Sequence, residues 1–70
     1  SQLRTALIFN KEIKASNYQI DTYKKKIYIY GIAQTKDEQK EVLKEGKAIP
    51  DVERVVASIL LVEDLRIQKD

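Results

Sequence analysis

Seventy residues bound the chain to one domain, near the low end of what folds alone. At this size only about 60 % of the unfolded surface is buried, and the core supplies roughly 3–5 kcal/mol. There is no cysteine and no histidine, which excludes disulfide staples, thiol or imidazole chemistry and Cys/His metal sites. The 34 % of charged residues are well mixed and the net charge is +2, too small by itself to imply nucleic acid.

No stretch approaches the ~20 apolar residues of a membrane span. Ser1 leads straight into helix-like sequence, so no signal peptide is expected within the chain. Native chains rarely open inside an amphipathic helix. The sequence therefore reads as one domain cut from a longer protein, with any signal or lipid anchor upstream.

The first element is a helix over about Gln2 to Phe9, with Leu3, Ala6 and Leu7 on one stripe and Ile13 available to extend it. Ser16-Asn17 is a break, both residues preferring turns. Tyr18 to Thr22 alternates as a half-buried strand, and Lys26 to Ala33 forms the second strand. A two-residue turn at Lys24-Lys25 would set Ile20 opposite Ile29, Thr22 opposite Ile27 and Tyr18 opposite Gly31, all on one side.

Thr35-Lys36-Asp37-Glu38 has the form of a capping box: the Thr hydroxyl accepts from a backbone N–H one turn on, and the Glu side chain reaches back. The helix it opens runs from Lys36 to about Ala48, with Val42, Leu43 and Ile49 inward. Asp37 and Glu38 in its first turn and Lys44 and Lys47 later suit the helix dipole. Gly46 costs about 1 kcal/mol relative to Ala, so a close approach to the sheet is expected there. Pro50 ends the helix. Val52 to Val62 is then a β-branched strand, parallel to strand two because a helical crossover joins them. The fold class is α+β in the order α-β-β-α-β, two helices on one face of a three-stranded mixed sheet. Residues 1–62 form the domain and 63–70 a charged tail.

Several of these segments, taken together, resemble the BON domains of bacterial envelope proteins. They are Leu3-Arg4-Thr5-Ala6-Leu7, Ile20-Asp21-Thr22, Ile27-Tyr28-Ile29-Tyr30-Gly31 and Ile49-Pro50-Asp51-Val52-Glu53-Arg54-Val55-Val56. The likeness covers nearly the whole chain. Its most recognisable marks are the Gly after the second strand and the Pro-x-Val-x-x-Val-Val string. Two positions depart from the pattern. Lys24-Lys25 stands where Asn-Gly is usual, and a left-handed residue there costs about 1–2 kcal/mol, so a wider loop is expected. Asp51 stands where Gly usually follows Pro, which implies a different turn. The resemblance implies a non-catalytic module in periplasmic lipoproteins, osmotically induced proteins, secretins or channels, binding phospholipid or a partner and often paired in tandem.

The residues themselves offer little for an enzyme, since acid–base work would fall to carboxylates, Lys or Tyr. Asp37, Glu38, Glu41 and Glu45 interleave with Lys36, Lys40, Lys44 and Lys47, which reads as a solvated helix face with pairs at i+3. No catalytic residue, metal ligand or cofactor site is assigned. Gly31 and Gly46 are the only glycines, so phosphate-cradling loops and the G-x-x-G clamp of a KH domain are absent, and no nucleic acid is expected. Lys24-Lys25-Lys26, the one dense basic run, is read either as a soluble hairpin tip or as a contact for anionic headgroups.

Both faces of the sheet are apolar. Ile27 and Ile29 face the helices, while Tyr28, Tyr30, Ile32, Val56, Leu60 and Val62 face away, as a surface for a partner or for the chain's own tail. The expected function is binding at the cell envelope, to an anionic phospholipid surface, in support of membrane integrity or osmotic stress tolerance. The alternative is docking of a second such domain, a homo-oligomer or an envelope protein. The expected location is the periplasm, with outer-membrane association through an anchor outside this chain.

Overall fold

A computed structural model describes residues 1–62, and it has the α-β-β-α-β order. The elements are α1 (Gln2–Phe9), β1 (Tyr18–Tyr23), β2 (Lys26–Ala33), α2 (Lys36–Lys47) and β3 (Arg54–Leu61), with a 3₁₀ turn at Ala15–Asn17. The charged tail, 63–70, lies outside the described residues.

Ser1 caps α1, its hydroxyl accepting the Arg4 N–H at 3.1 Å. Leu3 and Leu7, one turn apart, are fully buried, each contributing about 1.5–3 kcal/mol. Asn10 then turns extended and ends the helix. Ile13 is buried, yet it joins the core from the loop, so the expectation that it extends the helical stripe is corrected. Arg4 ties α1 to the start of the sheet: its guanidinium donates to the carbonyls of Ala15 at 3.2 Å and Tyr18 at 3.0 Å.

The strands stand in the order β1-β2-β3, β1 antiparallel to β2 and β3 parallel to it. The hairpin register is the one its apolar pairs require: Tyr18 opposite Gly31, Ile20 opposite Ile29 and Thr22 opposite Ile27. Pairing runs to Tyr23 and Lys26, which leaves a tight two-residue turn. The expected wider loop is not formed; Lys24 takes the left-handed backbone itself, at φ 57°. Asp51 does the same at φ 63°, so both departures keep the backbone geometry that Asn or Gly would supply and bear its cost. Gly31 has no room for a side chain, because a Cβ there would run into the Asn17 carbonyl and the Tyr18 ring.

In α2 the Thr35 hydroxyl accepts the Glu38 N–H at 3.0 Å, the first half of the capping box. Val42 and Gly46 are buried on its inner side, while Leu43, expected inward, is only half-buried. A Cβ at Gly46 would lie 3.3 Å from Ile29 Cδ1 and 3.4 Å from Val55 Cγ1, the close approach that its cost implies. The core gathers Leu3, Leu7, Ile13, Tyr18, Ile27, Ile29, Ala33, Val42 and Leu61 between the helices and one sheet face.

Candidate functional site

The hairpin end places Lys24, Lys25 and Lys26 side by side, all exposed. Lys24 Nζ lies 5.5 Å above the Tyr23 ring, within cation–π range. The tip is braced from behind, since the Lys25 carbonyl accepts the Glu53 N–H at 2.7 Å. Beneath it opens a cleft of about 310 Å³. The three lysines form its rim, and Leu3, Ile27 and Val52 line its apolar base. Asp51 stands on the same rim, so both left-handed residues border one cleft. Backbone strain of this kind gathers where a surface is shaped for contact. The arrangement can hold a negatively charged head over an apolar base; it brings no acid–base pair together.

The expected partner surface is also gathered on one face. Along β2, Ile27 and Ile29 point inward and are buried, while Tyr28, Tyr30 and Ile32 point away. The parallel register sets Tyr28 beside Val56 and Ile32 beside Leu60. Tyr30, Ile32, Val56, Leu60 and Val62 are all exposed, Leu60 at 54 %; Tyr28 is half-buried. On the β1 side this face turns polar, with Gln19 opposite Tyr30 and Asp21 opposite Tyr28. The apolar part is therefore a band over β2 and β3.

Asp37 is exposed as expected, but Glu38, Glu41 and Glu45 are not the solvated cluster their spacing suggests. Glu38 is 4 % exposed. Its oxygens accept the N–H groups of Gln34 at 2.8 Å and Lys14 at 2.9 Å, so the second half of the capping box reaches one residue past Thr35 and across to another segment. Burial pushes the Tyr18 phenol well above its ordinary value, and the Glu38 carboxylate beside it disfavours a phenolate further. The Tyr18 hydroxyl makes no hydrogen bond of ordinary geometry, yet it lies near enough to the Glu38 carboxylate for that group to hold it protonated. Glu41 and Glu45 both accept from Asn10 Nδ2, at 3.1 Å and 2.8 Å, and do not serve as free surface charges. These acids hold α1, its loop and α2 together.

The lysines of the same helix occupy its other side. Lys40, Lys44 and Lys47 border an open groove with Leu43 at its base. Lys40, Lys44 and Lys47 step by three or four residues, and so do Glu38, Glu41 and Glu45, so each set forms its own stripe, a signal that reading the charges as interleaved pairs passes over. Sequence reasoning also missed Tyr23 beneath Lys24, and Ile8 and Phe9 at the end of α1, which are 61 % and 79 % exposed. Among the described residues no acidic group is assembled to hold a metal ion, and no helix is long and apolar enough to cross a membrane. A scan against protein-family models gives no match, and no curated protein matches the chain.

Proposed function

We propose that this domain is a non-catalytic binding module of the bacterial cell envelope, and that it contacts anionic phospholipid through its hairpin end. The observation that carries the proposal is the meeting of Lys24, Lys25 and Lys26 with an apolar-based cleft at one end of the sheet. Each lysine near an anionic surface contributes on the order of 1 kcal/mol. Three give a weak, salt-sensitive contact, suited to a domain held at the membrane by an anchor elsewhere. The BON-like motifs support the periplasm as its place and membrane integrity or osmotic stress tolerance as its role. The left-handed turns at Lys24 and Asp51 support that likeness, because they preserve the geometry at its two points of departure.

A second reading has its own observation. The band of Tyr30, Ile32, Val56, Leu60 and Val62 is apolar and exposed, which favours docking of a protein partner on the face opposite the helices.

Flotation with liposomes separates the two. The lipid reading predicts binding to anionic but not neutral vesicles at low salt, loss as salt shortens the roughly 8–10 Å screening length, and abolition by Lys24→Glu with Lys25→Glu. Equal binding to both vesicle types, or none to either at low salt, leaves docking as the better account.

A further inference from the structure

The two edges of the sheet are unlike. At the β1 edge the Arg4 guanidinium holds the Tyr18 carbonyl, and Asp21 puts a charge mid-strand. At the β3 edge nothing from Val55 to Leu61 is charged, and there is no proline. Long apolar edges of this kind are normally blunted or paired. Arg54 donates its N–H to the Lys25 carbonyl. Alternate residues of a parallel strand bond to opposite neighbours. So Arg54, Val56, Ser58 and Leu60 bond to β2, and Val55, Ala57, Ile59 and Leu61 turn their N–H and C=O groups to the other side, where no strand of the described residues lies. Ile59 bears this out independently: its carbonyl accepts Gln39 Nε2 of α2 at 3.1 Å, a bond open only to an acceptor turned away from β2.

We infer that this edge pairs with the β3 edge of a second copy of the chain, antiparallel about Ser58. The strand is complementary to itself in that register. On the helix side Val55 meets Leu61 and Ala57 meets Ile59, small opposite large. On the outer side Val56 meets Leu60. The residues with outward N–H and C=O groups fall opposite one another, as hydrogen-bonded antiparallel pairs require, and pairing displaces Gln39 Nε2 from the Ile59 carbonyl. Charge selects the direction. Antiparallel pairing carries the two Arg54 side chains to opposite ends, whereas a parallel in-register pair would stack Arg54 on Arg54 and Glu53 on Glu53. Two three-stranded sheets then become one sheet with an outer apolar band running across both copies. The guarded β1 edges close the assembly at a dimer. A strand-edge contact of this length falls below the ~1,200 Å² of a standard interface, so the dimer is transient.

The inference is independent of the lipid reading and distinct from docking on the outer face. Its test is light scattering on the full chain across a concentration series. The mass should rise from 8.1 kDa toward twice that as concentration increases. Ala57→Pro removes an N–H that faces only the open edge, and Ala57→Lys adds a charge at the same exposed position. Each should keep the wild-type circular dichroism and remain at the mass of one chain. Gln39→Ala frees the Ile59 carbonyl and should shift the midpoint of dimerisation to lower protein concentration. A wild-type chain that stays at one mass up to millimolar concentration overturns the inference. So does a folded Ala57→Pro or Ala57→Lys variant that dimerises like wild type, including the case in which only Tyr30→Glu abolishes the dimer.

Discussion

At the scale of single residues, the stability of this domain depends on a few atoms that composition does not advertise. Glu38 looks like one acid among several on a charged helix, yet it satisfies two backbone N–H groups in separate segments. Glu38→Ala removes both part-buried bonds, each to a charged acceptor and worth about 1.5–3 kcal/mol, and urea denaturation should show the midpoint falling accordingly. Lys24 and Asp51 bear the opposite burden. Relief of a left-handed residue by glycine is worth about 1–2 kcal/mol, less some added entropy in the unfolded chain. Lys24→Gly should therefore raise the denaturation midpoint modestly while weakening vesicle binding. Opposite signs in the two assays would mark a residue kept for contact at the expense of stability.

Tyr18 makes the fold sensitive to alkali. Its phenol titrates higher in the folded chain than its ordinary value of 10.0, so above about pH 10 the unfolded chain loses a proton that the folded chain keeps. Its contribution to stability is complete below that pH and is lost as pH rises toward the folded value. Tyr18→Phe removes the titrating phenol and should show a shallower loss above about pH 10 in pH-dependent thermal melts.

At the scale of elements, the capped start of α2 and the hairpin register were legible because each follows from a local rule: a hydroxyl before a helix, and apolar residues at period two. Thr35→Ala should cost roughly 1 kcal/mol through the lost cap, read as a lower midpoint with the helical signal kept. Gly46 was legible too, since a costly residue implies a reason, and Ile29 and Val55 supply it. The destination of the α2 acids was not. Spacing gives the side of a helix on which a carboxylate lies, and the capping box points Glu38 back toward Gln34, but Asn10 and Lys14 come from segments whose placement only the packed fold determines. The hairpin turn differs from expectation for a related reason. The cost of a left-handed lysine is real, but the pairing of β1 with β2 outweighs it.

At the scale of the whole molecule, the cleft beneath the tip joins residues from α1, the hairpin and the segment before β3, a meeting that no single stretch of sequence displays. The lysine run pointed to the tip without revealing its apolar base. The sheet band was legible from alternation alone, because its residues come from two strands whose outward rows are continuous.

The central claim is that the hairpin end meets anionic lipid, and it is tested most directly by backbone-amide NMR of the folded domain titrated with nanodiscs. With anionic discs, the largest shift changes should cluster at Lys24 to Lys26 and reach Leu3 and Val52 across the cleft. They should fade with added salt and be absent with neutral discs. Changes centred on Tyr30, Leu60 or the Lys40–Lys47 face instead, or none with either disc, would contradict it.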